Sequence, residues 1–170
     1  MKTRYLFPCL ILFFVGFAGI LNVSGQKVEY IKTSDLGEIL KNKEDKLSVI
    51  NFWASWCAPC VKELPHFEKL SKEYDRNEVT FFFISLDFPS EIETKLIPFL
   101  KKNKITHEVA VMTDTDYNLW IDTVDTGWQG NIPATLILNN AKRIRSFHPE
   151  ELDENQLREL INESLRMSNK

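Results

Sequence analysis

The stretch Leu47-Ser48-Val49-Ile50-Asn51-Phe52-Trp53 leads directly into Ala54-Ser55-Trp56-Cys57-Ala58-Pro59-Cys60, and this junction decides the fold class. The first seven residues are rich in β-branched and aromatic side chains and have the length of a buried central strand. After the cysteines, apolar residues recur every three or four positions as far as Tyr74, which predicts a helix with one buried stripe. The sequence therefore predicts a buried strand that turns into a helix carrying two cysteines in its first turn.

Cys57 and Cys60 have the spacing and position that thiol–disulfide exchange requires. The reaction needs a thiolate, and a helix N-terminus stabilises one through its unpaired N–H groups and its positive dipole end. We predict that Cys57, at the more exposed end, is the attacking nucleophile and that Cys60 resolves the mixed disulfide. Pro59 fits this position because its missing N–H costs nothing in a first helical turn.

Other uses of the cysteine pair are weaker or stay open. A bridge across two residues closes too small a loop to stabilise the fold usefully. Structural zinc needs four ligands, yet Cys9 is the one further cysteine and His66, His107 and His148 are widely scattered. Since the two sulfur atoms carry out the exchange, no cofactor and no resident metal are expected. A metallochaperone that holds Cu(I) between the two thiols remains the alternative function.

Predicted strands and helices alternate along the rest of the chain. Further strands are predicted at 28–31, 79–86, 108–112, 134–138 and 143–147, and further helices at 33–43, 90–103, 116–124 and 152–165, with a tight turn at Asn139-Asn140 joining the last two strands. This order indicates a single α/β domain with a central mixed β-sheet flanked by helices.

The N-terminus has the organisation of an export signal. Met1-Lys2-Thr3-Arg4 is basic, residues 5–23 are almost wholly apolar, and the small residues Ser24-Gly25 follow. We predict a signal peptide over residues 1–25 and a domain over residues 26–170, located in a periplasm or otherwise outside the cytoplasm. If the segment is not cleaved, it would serve as a membrane anchor, and this alternative stays open.

Composition excludes some partners. Lys and Arg number 21 against 24 for Asp and Glu, with no basic cluster, so no nucleic-acid partner is expected. The 170 residues are 44% hydrophobic and include 12 Phe, enough for the core of one domain without a disulfide scaffold.

At this point a family resemblance is clear. Residues 52–60 resemble the active-site segment of thioredoxins, Pro65 matches the helix-kinking proline of that fold, and Gly130-Asn131-Ile132-Pro133-Ala134-Thr135 resembles the segment that carries its cis-proline. The resemblance covers the chain from about residue 47 to the C-terminus and implies a thioredoxin-like fold. It also implies that the Ile132-Pro133 bond is cis and that this loop presents backbone to a substrate beside the redox pair. Trp56 is expected to offer the substrate an apolar contact.

Two residues point to a subgroup of this superfamily. Asn51 occupies the position at which minimal thioredoxins carry a buried Asp, and Glu63 follows Cys60 by three residues. Both features are similar to extracytoplasmic reductases of the TlpA/ResA type, which also carry an extra strand–helix insertion before the cis-proline. The resemblance implies that Glu63 joins the two cysteines in the site as a partly buried carboxylate that accepts or relays a proton. Burial would raise its pKa towards neutrality.

The resemblance also implies an activity. The chain is expected to be an enzyme of the protein disulfide reductase type that acts outside the cytoplasm. Its partners would be protein disulfide substrates and a membrane or periplasmic thiol–disulfide electron donor. Assembly of c-type cytochromes is one task of similar proteins. The dipeptide Ala58-Pro59 lacks the His that helps to make strong oxidants of this fold, which favours the reducing direction.

Overall fold

The computed structural model describes residues 28–168, which form a six-stranded mixed sheet flanked by helices. The strands are β1 Val28–Ile31, β2 Leu47–Trp53, β3 Val79–Ser85, β4 Val109–Met112, β5 Ala134–Asn139 and β6 Ile144–His148; the α-helices are α1 Thr33–Lys41, α2 Ala58–Glu73, α3 Ile97–Lys102, α4 Ile121–Val124 and α5 Glu154–Ser168. The predicted fold class is confirmed. The predicted signal peptide lies outside the described residues. Within the described part, no helix is long and apolar enough to cross a bilayer.

The sheet has the order β1-β4-β3-β2-β5-β6. The first four strands in this order are parallel, whereas β5 is antiparallel to β2 and β6 is antiparallel to β5. The strand β4 lies between β1 and β3, and it belongs to the extra strand–helix unit that was expected before the proline. The sheet therefore places the carboxyl ends of four parallel strands along one edge.

The strand β2 is the centre of the molecule, since all seven of its residues are buried. Val49 packs into the core that contains α2 and α5, whereas Ile50 packs into the core on the α1 side. Alternating side chains thus point to opposite faces of the sheet, and both faces are apolar because both are covered. This explains why five of the seven residues of β2 are apolar and lie on both faces of the sheet. Burial on both faces also holds the end of β2 in place, and the cysteine motif follows directly after this end.

The helix predicted at 90–103 is a series of three short pieces. A 3₁₀ turn at Pro89–Glu91 and a π-helical turn at Ile92–Leu96 come before α3. Pro98 lies in the first turn of α3, and proline cannot donate the hydrogen bond that a regular α-helix would need at this point. The prediction of one continuous helix was wrong here for that reason.

The helix predicted at 116–124 is also divided. A 3₁₀ turn at Tyr117–Leu119 and the short α4 are separated by Trp120. The Trp120 side chain is buried, and its Nε1 donates to the Asp114 carbonyl oxygen at 3.2 Å. Burying this ring takes the chain out of regular helical geometry.

The last two strands pair as predicted, but their turn lies further along the chain. Asn139 belongs to β5 and pairs with Ile144 of β6, so the loop consists of residues 140–143. Arg143 adopts a positive φ of 56° in this loop. The Asn139 side chain supports the loop by accepting from the Lys142 N–H at 3.1 Å.

Candidate active site

The two cysteines form a disulfide at the start of α2, directly beyond the carboxyl end of β2. Cys57 is the N-cap residue of this helix, and its sulfur accepts from the Cys60 backbone N–H at 3.3 Å. A sulfur in this position faces the positive end of the helix, which favours the thiolate over the thiol. Cys57 is 6% exposed and Cys60 is fully buried, so Cys57 is the sulfur that a substrate can reach.

The loop before β5 lies against the cysteines. The Ile132-Pro133 peptide bond is cis, as the family resemblance implied. The Ile132 carbonyl oxygen lies 3.7 Å from the Cys57 sulfur, and a thiol at this position could donate to it. The backbone of this loop therefore borders the reactive sulfur, where an extended substrate segment would pass.

Glu63 lies on the buried stripe of α2, one helical turn beyond Cys60. The carboxylate is fully buried, deeper than the partial burial that was expected. It accepts from the Asn51 side-chain amide at 2.8 Å and from the Leu152 backbone N–H at 2.9 Å. Burial raises the pKa of Glu63 to about 7, although these two hydrogen bonds pull the pKa down. Such a group exchanges a proton near neutral pH.

Asn51 is placed to respond to the protonation of this carboxylate. Its amide nitrogen donates to Glu63 and contacts the Thr135 hydroxyl at 3.4 Å, whereas its buried oxygen has no hydrogen-bond partner among the residues that the structure describes. A protonated Glu63 would have an O–H to donate, and rotation of the Asn51 amide by 180° would present that unpaired oxygen as the acceptor. Asn51 can therefore satisfy both protonation states of Glu63.

Trp56 occupies the exposed corner of the site. The turn from Ala54 to Cys57 is closed by a hydrogen bond from the Cys57 N–H to the Ala54 carbonyl oxygen at 3.1 Å. Trp56, inside this turn, is 56% exposed, an unusual state for so large an apolar ring. The structure thus brings together Trp56, the cysteine pair and the 132–133 loop at one surface, with Glu63 beneath it.

The Trp128 side chain lies in the core. Its ring is buried and packs against Phe52 with ring centroids 4.9 Å apart, and its Nε1 donates to the Asn131 carbonyl oxygen at 2.8 Å. Trp128 therefore supports the loop before Pro133 from the inside.

The site includes two residues that the sequence analysis missed. The Leu152 N–H holds Glu63 from the segment before α5, and a backbone donor so distant in sequence has no signature. Asp87, just after β3, binds Ser55 of the active-site turn. A sequence signal for Asp87 did exist, because an acid directly after a buried parallel strand lies at the same sheet edge as the cysteines.

A metal site finds little support in the geometry. Among residues 28–168, no group of three or more His, Cys, Asp or Glu side chains is placed to hold an ion. The cysteine pair therefore has no third ligand of these types beside it within the described part of the chain.

The fold and the site together define a thioredoxin-like protein with a C-x-x-C disulfide at the start of its active-site helix. The chain belongs to the AhpC/TSA family, whose model matches residues 21–147. Its sequence is also similar to a thioredoxin from Ictalurus punctatus, at 44% identity over 55 residues, or 32% of this chain and 51% of that protein. The thiol-disulfide oxidoreductase ResA from Halalkalibacterium halodurans is 24% identical over 72% of this chain and 64% of that protein.

Among solved structures, the thioredoxin-related protein from Neisseria meningitidis serogroup B superposes with a TM-score of 0.60. The two sequences are 24% identical, and the superposition covers 69% of this chain and 84% of the Neisseria chain. This likeness confirms the thioredoxin-like fold. The matched part of the chain spans between about half and two thirds of the length of the two sequence relatives above. The resemblance to the thioredoxin-like, ResA-type class is confirmed.

Proposed function

We propose that this protein is a thiol–disulfide oxidoreductase that reduces disulfides in protein substrates outside the cytoplasm. The observation that carries the proposal is the Cys57–Cys60 disulfide at the N-terminus of α2, beside the cis Ile132-Pro133 loop. The name of the ResA relative supports the same chemistry. No cofactor is needed, because the two cysteines supply both electrons.

The first step is attack by Cys57 on the substrate. In the reduced protein, the Cys57 thiolate attacks one sulfur of the substrate disulfide; a Cys57–substrate bond forms, the substrate S–S bond breaks, and one substrate thiolate leaves and takes up a proton. The N–H of Cys60 stabilises the attacking thiolate through the 3.3 Å contact. Trp56 and the Ile132 carbonyl border the path along which the substrate approaches.

The second step releases the substrate. Cys60 loses its proton and attacks the Cys57 sulfur, so that the Cys57–Cys60 bond forms and the second substrate thiolate leaves. The substrate has then gained two electrons and the protein holds its disulfide again. A thiol–disulfide donor in the membrane or the extracytoplasmic space must reduce this disulfide for the next cycle.

Glu63 serves this cycle as the proton acceptor for Cys60. It lies one turn from Cys60 on the same buried stripe, and at a pKa of about 7 both of its protonation states are accessible. The two hydrogen bonds from Asn51 and Leu152 hold the carboxylate in place as it gains and loses the proton.

The exported location is supported by the order of basic, apolar and small residues over 1–25. There, oxidising conditions would make disulfide reduction a task for a dedicated protein, and the paired thiols of haem-attachment sites in c-type cytochromes are the substrate class we favour. N-terminal sequencing of the exported protein tests the location: we expect the chain to begin near Gln26. A chain that retains Met1 in the cytoplasmic fraction would contradict it.

Variants of the two cysteines test the function. We expect Cys57→Ala to abolish reduction of insulin disulfides and Cys60→Ala to accumulate a mixed disulfide with the substrate, visible by mass spectrometry. We also expect a reduction potential below about −220 mV, on the reductant side of the range for this fold. Adducts on Cys60 in the Cys57 variant would reverse the two roles, and a potential near about −120 mV, typical of a strong oxidant, would reverse the direction.

A further inference from the structure

We propose that Asp87 is a positioning residue for disulfide exchange, whose buried carboxylate holds the Ser55-Trp56 turn so that Cys57 meets the substrate in one orientation. The inference rests on the proposed function and adds to it a residue that acts through Ser55. Asp87 lies two residues beyond the end of β3, next to the turn that follows β2. It reaches the active site from a neighbouring strand.

Asp87 is 1% exposed, and burying a carboxylate is costly unless its oxygens are satisfied. Here they are satisfied by hydroxyl and backbone donors. One oxygen accepts from the Ser55 N–H at 2.9 Å and from the Ser85 hydroxyl at 2.7 Å, and the other accepts from the Ser55 hydroxyl at 2.5 Å. Among residues 28–168, no Lys, Arg or His forms an ion pair with Asp87. The bonds of this carboxylate are thus directed mainly at one residue, Ser55.

The support around Asp87 is itself fixed. The Asp87 N–H donates to the Ser85 hydroxyl at 3.1 Å, and the Leu86 N–H donates to the Trp53 carbonyl oxygen at 2.8 Å. These bonds join the ends of β2 and β3 just before the active-site turn. The position of the Asp87 carboxylate is therefore fixed, and the carboxylate in turn restrains the active-site turn through Ser55.

A hydrogen bond from the Cys57 N–H to the Ala54 carbonyl oxygen closes the backbone of the turn, and Asp87 adds the side-chain restraint on Ser55. Trp56 is mostly exposed, so its ring contributes little packing. In the oxidised protein the Cys57–Cys60 bond also restrains the turn, but this bond is broken in the reduced protein that attacks the substrate. In the reduced protein, the turn is then held by Asp87 together with the bond from the Cys57 N–H to the Ala54 carbonyl oxygen. A small displacement of an attacking atom costs much of the rate of a reaction between two oriented groups.

The chain contains a matched control. Asp114 follows β4 by two residues and accepts from the Thr33 N–H at 2.8 Å and the Thr33 hydroxyl at 2.7 Å, the same pair of bonds that Asp87 makes with Ser55. Thr33 begins α1 and is not part of the active-site turn. Asp114→Ala therefore removes bonds from the same two kinds of donor, at a half-buried carboxylate, without touching the site.

The experiment compares the full-length wild type with Asp87→Ala, Asp87→Asn and Asp114→Ala, each in the reduced form. We expect Asp87→Ala to reduce insulin about tenfold more slowly while its alkylation by iodoacetamide, a small reagent, changes by less than about twofold. Asp87→Asn keeps the shape and can keep every bond if the Ser55 hydroxyl rotates, so it should retain activity within about threefold. Asp114→Ala should match the wild type. Equal losses in Asp87→Ala and Asp114→Ala would overturn the proposal, as would an unchanged insulin rate in Asp87→Ala.

Two further measurements keep the test independent of folding defects and of the proposed function. Ser55→Ala keeps the Asp87 carboxylate and its bond from the residue-55 N–H, and removes only the hydroxyl bond; we expect a loss of about threefold with insulin, and an unchanged rate would count against the proposal. Hydrogen exchange at the Ser55 amide should accelerate at least about tenfold in Asp87→Ala and stay slow in Asp114→Ala. If wild-type protein failed to reduce any disulfide, the proposed function would fall, whereas unchanged exchange at Ser55 would remove the role of Asp87 alone.

Discussion

Glu63 and Glu68 lie five residues apart on the helix α2, both are buried, and their pKa values move in opposite directions. Burial raises the pKa of Glu63 to about 7. Burial also opposes ionisation of Glu68, but hydrogen bonds from Lys72, Thr106 and His107 outweigh it and hold the pKa of Glu68 below its usual value. One helix thus carries one carboxylate that can change its charge near neutral pH and one that stays ionised.

The difference comes from the partners that other elements supply. Glu68 accepts from the Thr106 N–H at 3.0 Å and the His107 N–H at 3.2 Å, and Lys72 brings a positive charge to within 2.7 Å. Glu63 has two neutral donors and no cation among the described residues. A buried carboxylate with a cation and several hydrogen-bond donors has a lowered pKa and stays ionised. A buried carboxylate with few donors has a raised pKa and can take up a proton.

Of the two residues, Glu63 should have the larger effect on how the free energy of unfolding depends on pH. Between pH 4.5 and about 7 the folded protein keeps a proton that the unfolded chain has lost, so its stability falls as the pH rises through this range. A pKa raised from 4.5 to about 7 corresponds to about 3 kcal/mol at pH 8. We expect Glu63→Gln to lack this dependence, so that it gains about 2.5 kcal/mol on the wild type between pH 5 and pH 8, measured by urea unfolding. Parallel stability curves for the two proteins would contradict the account.

Glu68→Gln should show the smaller and opposite effect. Because the pKa of Glu68 is lowered in the fold, its contribution is present above the unfolded pKa of 4.5 and is lost as the pH falls through the folded value. We expect the variant to be about 1–2 kcal/mol less stable than the wild type at pH 7, with the gap closing as the pH falls below 4.5. Urea unfolding at pH 7 and pH 3 checks this. A difference in unfolding free energy that widens in acid would contradict the opposite pKa shifts of Glu63 and Glu68.

Sequence patterns sufficed wherever one local rule controls the structure. The apolar run of β2, the three-to-four spacing in α2 and the cysteine spacing each have a single structural outcome. The pattern failed where a side chain competed with helical geometry, at Pro98 and at Trp120. In both places the apolar spacing predicted one helix, and a missing backbone donor or a buried ring divided it.

The candidate site could be predicted only in part. Sequence motifs predicted the cysteines and Ile132-Pro133. Each motif lies next to a strand in the chain, the cysteines shortly after β2 and Pro133 directly before β5, so its place in the fold follows from the chain order. The family resemblance singled out Glu63, but the apolar spacing of α2 could not show why Glu63 and Glu68 differ, since their partners come from segments at residues 106–107 and 152. Asp87 was missed although its position after a buried parallel strand was a signal, because its partner Ser55 becomes evident only once the ends of β2 and β3 are known to be adjacent.

Of the two carboxylates, Glu63 should titrate together with the cysteine pair, and Glu68 should not. An ionised carboxylate near the thiols opposes thiolate formation, so Glu63 and Cys57 should titrate as a coupled pair. The direct measurement is the rate of iodoacetamide alkylation of the reduced protein from pH 5 to pH 10, for wild type, Glu63→Gln and Glu68→Gln. We predict that Glu63→Gln shifts the apparent pKa of Cys57 downward, while Glu68→Gln overlays the wild type. A Glu63→Gln profile that superimposes on the wild type would show that Glu63 is a structural carboxylate and would contradict the account.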